Sequence, residues 1–216
     1  MISVQAALDA LFALVQKPNV ETVDLTKAMG RVLARPIKAS RDQPPFDAAA
    51  MDGYAIAQPA AKRGDSYQVI GEAAAGRRFE GDLTPDTAVR IFTGAPVPAG
   101  TSAIIIQENA IRIADRIELS EDPNAQSHIR PAGNDFKTGS CLDAPKRLNA
   151  ADIALLASMN MAQIPVYKRP TIALLSTGDE LVMPGEQPGQ DQILASNTYG
   201  LAALLNSHGA DCRILP

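Results

Sequence analysis

The chain has 216 residues, 46% hydrophobic and 20% charged, an ordinary globular composition in which Trp is absent and aliphatic side chains must fill the interior. A formal net charge of −4 argues against a nucleic-acid binder, which carries a basic face. Two cysteines, Cys141 and Cys212, lie far apart with no metal-type spacing and give no disulfide framework.

The first predicted element is a helix: Ser3 suits its N-cap, and Val4, Leu8, Leu11, Phe12 and Val15 recur at helical spacing on one face. Lys17-Pro18-Asn19 ends it. A short strand over Glu21–Leu25 and a second helix over Thr26–Leu33 are expected next, the helix stopping before Pro36. From Ser40 to Gly139 short β-type runs alternate with Gly and Pro. The candidate strands are Tyr54–Ala57, Tyr67–Ile70, Ala88–Phe92, Ala103–Gln107, Ile111–Ile113, Arg116–Leu119 and His128–Arg130. After Pro145, Asn149 with Asp152 three residues later reads as a capping box, Ile153, Leu155 and Leu156 as a buried stripe, and Asn160 as a left-handed C-cap. Gln163–Lys168 is strand-like. Thr171–Leu175 is a continuous apolar run, the pattern of a parallel strand buried on both faces, and it leads into the polar loop Ser176–Glu180. Ser196 or Asn197 then caps a helix over Thr198–Ser207, and Cys212–Leu215 opens another strand.

The fold class expected is α+β and multidomain. Residues 1–40 plus 141–168 would form an elongated helical, dimerisation-type domain, and 41–140 an inserted small β barrel or sandwich. Residues 169–216 would open a doubly wound α/β domain, cut short because such domains need on the order of 100–150 residues. The N-terminus lacks a signal-peptide pattern and no apolar stretch approaches the ~20 residues needed to cross a bilayer, so a cytoplasmic protein with no membrane or nucleic-acid partner is expected.

No P-loop lysine motif, dinucleotide fingerprint or nucleophile elbow is present, and His128 and His208 are isolated. What remains is a set of carboxylates and glycines in loops. Asp52-Gly53 follows two prolines and leads into the Tyr54 strand; it reads either as a ligand site or as a plain turn. Thr93-Gly94 at a strand end offers a hydroxyl and a glycine amide to an anionic oxygen, or simply a rigid turn before Pro96 and Pro98. Arg130-Pro131-Ala132-Gly133-Asn134-Asp135-Phe136-Lys137 mixes two cations with a carboxylate, suiting a charged ligand, a magnesium ion or a solvated turn. Ser176-Thr177-Gly178-Asp179-Glu180 stands where open α/β sheets bind ligands, and its adjacent carboxylates suit Mg²⁺ with phosphate oxygens.

Together Met51-Asp52-Gly53-Tyr54-Ala55, Arg90-Ile91-Phe92-Thr93-Gly94-Ala95-Pro96-Val97-Pro98, Arg130-Pro131-Ala132-Gly133 with Asp135, Leu175-Ser176-Thr177-Gly178-Asp179-Glu180-Leu181 and Ser196-Asn197 resemble the MoeA-type molybdopterin molybdenumtransferases, which include gephyrin's E domain. The resemblance implies the N-terminal part of a homodimeric enzyme of molybdenum cofactor biosynthesis. That enzyme inserts molybdenum from molybdate into adenylylated molybdopterin, with Mg²⁺, and releases AMP. It implies Asp52, Asp135 and Glu180 as catalytic carboxylates and Mg²⁺ ligands. Thr93, Gly94, Ser176, Thr177, Gly178, Asp179, Ser196 and Asn197 would bind substrate. Molybdopterin adenylyltransferase and cofactor-receiving proteins would be partners, and this stretch alone would be inactive. One departure from the family pattern is Ala48-Ala49, where an Asn-Ser pair is usual; Asn134, where an acidic residue is common, is a milder one. Two alternatives stand beside the enzyme: a dimerising scaffold or binding module, and a degenerate paralogue with an altered substrate, which Ala48-Ala49 motivates.

Overall fold

A computed structural model describes residues 2–15, 18–123 and 127–215, so Lys17, expected to end the first helix, lies outside the described residues. The chain divides into two compact units, residues 1–37 with 142–216 and residues 38–141.

In the first unit, α1 (Val4–Ala13) begins at Ser3, whose side chain accepts from the Ala6 amide at 3.2 Å. None of its residues is buried. The flanks 18–37 and 142–168 mix strands with one α-helix rather than being helical throughout: an antiparallel sheet runs in the order Val20–Asp24, Gln163–Tyr167, Val32–Leu33, Lys146–Arg147. The helix expected over Thr26–Leu33 is instead a 3-10 turn, Leu25–Lys27, followed by the Val32–Leu33 strand. Gly30, at φ +74°, breaks the turn and donates to the Leu148 carbonyl, so pairing with a distant segment overrides local propensity. Arg31, 9% exposed, is satisfied by an ion pair to Glu21 and a 2.9 Å bond to the Tyr167 carbonyl.

The α2 helix (Ala150–Ser158) has the full capping box, with Asn149 and Asp152 bonded reciprocally at 3.0 Å. Asn160 at φ +63° closes it: its amide reaches the Ala157 carbonyl and the Met161 amide the Leu156 carbonyl, the two bonds of a Schellman motif. Thr171–Leu175 pairs in parallel with Asp211–Leu215, and α3 (Ser196–Ser207) connects them. The run Thr171–Leu175 is not buried on both faces; exposed and half-buried residues alternate, and Leu175 is 62% exposed, because its strand neighbour is Asp211–Leu215 and its helical cover is α3. The α3 helix starts at Ser196 with Ala195 in the cap position and no side-chain cap, which corrects the Ser196 or Asn197 cap. The Ala195 amide is committed to the Val182 carbonyl.

The second unit is built on a linear six-stranded sheet, in the order Ala103–Ile106, Gly53–Ile56, Thr87–Ile91, Ser66–Ala73, Arg116–Leu119, Ala110–Ile113. All neighbours are antiparallel except Ser66–Ala73 with Thr87–Ile91, so among the described residues the sheet is mixed. Period-2 alternation gives it a core on each face. Ala55, Val89, Ile91 and Ile104 pack with Ala49 and Ala95 on one; Tyr54, Ile56, Tyr67, Ile105 and Ile117 share the other. Each fully buried aliphatic chain adds roughly 1.5–3 kcal/mol by leaving water.

The left-handed close of α2 gives a test. Replacing Asn160 with Ala costs about 1 kcal/mol and replacing it with Gly costs nothing measurable, as followed by exchange of the α2 amides through urea unfolding.

Candidate functional site

The segment from Asp42 to Gly53 organises the second unit through three aspartates at five-residue intervals, each receiving donors from a different stretch. Asp42 Oδ1 accepts from the Thr138 amide and hydroxyl, both at 2.7 Å. Asp47 Oδ1 accepts from the Ala132 amide at 2.8 Å. Asp52 Oδ1 accepts from the Thr93 amide at 2.7 Å and the Thr93 hydroxyl at 2.9 Å.

Between Asp47 and Asp52 lies a two-residue strand, Ala48–Ala49, paired with Ile129–Arg130 on one side. On the other side it meets the Thr93–Val97 turn: Gly94 donates to Ala49, Ala49 to Ala95, and Val97 to Asp47. Ala48 and Ala49 are 6% and 3% exposed, so these positions take small side chains into the core. The Asp52, Thr93–Gly94 and Arg130–Asp135 loops are thereby gathered on one scaffold. The Gly94 amide, expected to be available to an anion, is spent on Ala49, and the Thr93 hydroxyl on Asp52.

The Thr93 amide first, then its hydroxyl and the Arg90 charge, hold the Asp52 carboxyl below its ordinary range, against a smaller upward push from desolvation. Asp42 is lowered in the same way by the Thr138 amide and hydroxyl. Folded values below unfolded ones make these carboxylates stabilising above the ordinary carboxylate range, and that contribution is lost as pH falls through the lowered values. Asp135 is ion-paired with Arg130, and its amide donates to the Gln43 carbonyl at 2.9 Å.

The other expected residues lie in the first unit. The Ser176 hydroxyl, at the end of the Thr171–Leu175 strand, bonds the hydroxyl of Thr198, which is buried in the first turn of α3. Gly178 has φ +149°, and the Glu180 carboxylate oxygens lie 2.6 Å from where a Cβ would stand, so the carboxylate folds back over the glycine. The Ile193 amide donates to the Glu180 carbonyl at 2.8 Å. Thr177 and Asp179 are exposed on the loop after the strand, and Ser196 and Asn197 are exposed at the start of α3. A cavity of about 330 Å³ in this unit, lined among others by Arg31, Tyr167, Lys168 and His208, includes none of them.

The three carboxylates read as Mg²⁺ ligands are divided between the units, Asp52 and Asp135 in one and Glu180 in the other. Among the described residues no three His, Cys, Asp or Glu side chains gather as a metal-holding group. Within the second unit Asp52 Oδ1 takes two donors and Asp135 pairs with Arg130.

Asp42, Asp47, Thr138 and Thr198 escaped the sequence reading. The regular spacing of the three aspartates was visible, but their partners lie 41 to 96 positions away. Substituting Thr93 with Val leaves the amide and removes the hydroxyl. The Asp52 titration then moves upward, only part of the way to the ordinary carboxylate value, in a carboxyl ¹³C pH titration; an unmoved midpoint would mean the hydroxyl adds nothing.

Comparison with known proteins follows the same lines. The model of the family described as MoeA_N, MoeA N-terminal region (domain I and II), matches residues 2–160. A molybdopterin molybdenumtransferase of Nostoc sp. is 39% identical over 223 residues, covering 98% of this chain and 51% of the relative. A protein of the same name from Haemophilus influenzae is 36% identical over 187 residues, covering 86% of this chain and 46% of the relative. The crystal structure of a molybdopterin biosynthesis MoeA protein from Pyrococcus horikosii superposes with a TM-score of 0.86 at 29% identity, over 99% of this chain and 56% of that one. The chain spans about half the length of the curated relatives it matches. No helix among the described residues is long and apolar enough to cross a membrane. The chain belongs to the MoeA family, as its N-terminal region.

Proposed function

We propose that the chain is part of a molybdopterin molybdenumtransferase, which inserts molybdenum from molybdate into adenylylated molybdopterin and releases AMP. The observation that carries this reading is Asp52, kept ionised and aimed by two Thr93 donors, in a chain 39% identical over 98% of its length to a relative of that name.

The chemistry requires two anionic substrates to be held together while charge develops on the departing adenylate. A carboxylate fixed in direction before substrate arrives costs no reorganisation during the reaction. In this reading Asp52 orients a water or coordinated group at the adenylate phosphate, and Thr93 acts by holding Asp52. Arg130 offsets the charge of Asp135 beside it. Glu180 is the third essential carboxylate, and Ser176, Thr177, Gly178, Asp179, Ser196 and Asn197 form the pterin side, where the N-terminus of α3 suits an anion. We read residues 169–216 as the opening of a separate doubly wound, molybdopterin-binding domain.

Magnesium belongs to this proposal as an ion brought with the substrate's phosphate oxygens, not as one caged by the three carboxylates. The working enzyme is proposed as a homodimer that exchanges its pterin with an adenylyltransferase and cofactor-receiving proteins. The exposure of Val4, Leu11 and Phe12 along α1 supports a second copy as the cover, and it equally favours the dimerising-scaffold reading.

In the intact protein, Asp52→Asn lowers molybdate-dependent AMP release by roughly 10²–10⁴-fold while leaving the dimer intact by light scattering. A scaffold would show no AMP release in either form. Chelating Mg²⁺ abolishes turnover, yet isothermal titration of Mg²⁺ into the substrate-free protein shows no tight site.

A further inference from the structure

Arg90 stands beside Asp52 without contacting its side chain in any bond described above. It is the cross-strand partner of Tyr54, and its guanidinium lies 4.9 Å from the Tyr54 ring centroid and 4.8 Å from that of Phe92. Such a position between two aromatic rings fixes a planar cation. From it, Nη1 donates to the Gly53 carbonyl at 3.2 Å and Nη2 to Gln107 Oε1 at 2.7 Å. The Gln107 amide in turn donates to the Asp52 carbonyl at 3.0 Å, and its side-chain amide reaches Glu108 at 3.3 Å.

The carbonyls of Asp52 and Gly53 are thus both held, one by Gln107 and one by Arg90, and Arg90 holds Gln107. Gly53 makes the arrangement tight. A Cβ there would stand 1.9 Å from the Ile105 carbonyl oxygen, a backbone atom of the neighbouring strand that has no room to yield. The turn is therefore pressed against the sheet on one side and bonded on the other by the Gln107 main-chain amide and the Arg90 guanidinium, which also ties down the Gln107 side chain, while Thr93 grips its carboxylate from a third direction.

We propose that Arg90 and Gln107 are positioning residues: they fix the main chain on both sides of Asp52 and so set the direction in which its carboxylate points. The assignment rests on the reading of Asp52 as an essential carboxylate, but its geometry is testable without turnover.

The test compares the ¹⁵N-labelled chain with its Arg90→Met, Arg90→Lys and Gln107→Ala forms. Thr93 amide exchange reports the grip on Asp52, and the Val89 amide, on a strand paired on both sides, reports the sheet. Arg90→Met keeps an apolar stem over the rings, and Gln107 is an exposed side chain whose loss threatens folding least. Loss of the network speeds Thr93 exchange about tenfold in Arg90→Met and Gln107→Ala, the factor expected for losing roughly one charge-assisted hydrogen bond. Val89 keeps its rate. Arg90→Lys, which retains charge but not the two-armed fork, exchanges nearly as fast as Arg90→Met. Thr93 rates unchanged in both Arg90→Met and Gln107→Ala, full protection in Arg90→Lys, or equal acceleration at Thr93 and Val89 would each overturn the proposal. In the intact enzyme, Arg90→Met lowers kcat with KM for adenylylated molybdopterin unchanged. If Asp52→Asn leaves turnover intact, the functional reading fails while the exchange result still decides the positioning role.

Discussion

The second unit is held in working order by a strand of two alanines. Ala48–Ala49 is bonded to Ile129–Arg130 on one edge and to the Thr93–Val97 turn on the other, and both of its side chains are buried. The loops bearing Asp52, Thr93 and Asp135 are far apart in sequence, and surface loops of this kind have no packing of their own to fix them. Bonding to a shared strand, with Asp52 clamping Thr93 and with Asp47 and Asp42 clamping the two sides of Asp135, replaces that missing packing. Side chains larger or more polar than alanine at these two positions would have to find partners inside a core formed by Ile91, Ala95 and Ile104.

This constraint also recasts the Thr93–Gly94 turn. Its hydroxyl and amides face inward, to Asp52 and Ala49, so the turn serves the carboxylate before it serves any ligand. The same economy holds at Ser176, whose hydroxyl is tied to Thr198. In each place a polar group named for ligand binding is already engaged within the chain. A substrate must either exploit that fixed geometry, as proposed for Asp52, or displace it, as binding at the Ser176 hydroxyl would require.

What could be read from the sequence was local. Ser3 caps α1, Asn149 and Asp152 form the capping box of α2, and Asn160 takes the left-handed close, because each interaction spans only a few residues. The strands of the six-stranded sheet were legible as short β-type runs between Gly and Pro turns, and because both faces are buried, slippage by one residue would exchange its two cores. Non-local pairing was not legible. The stretch Thr26–Leu33 has helical composition but is captured by Leu148 and Val166, and Ala48–Ala49 has no strand propensity apart from its two neighbours. The motif residues themselves stood out through resemblance, while the groups that hold them, Asp42, Asp47, Gln107 and Thr198, became visible only through their bonds.

The central claim is that the clamped Asp52 turn faces the reacting phosphate. The most direct measurement is a crystal structure of the intact protein with adenylylated molybdopterin bound and molybdate withheld. The account predicts the adenylate phosphate within one hydrogen bond, or one bridging ion, of the Asp52 carboxylate, with Thr93 still bonded to it. A phosphate seated elsewhere, with Asp52 facing open solvent, would contradict it.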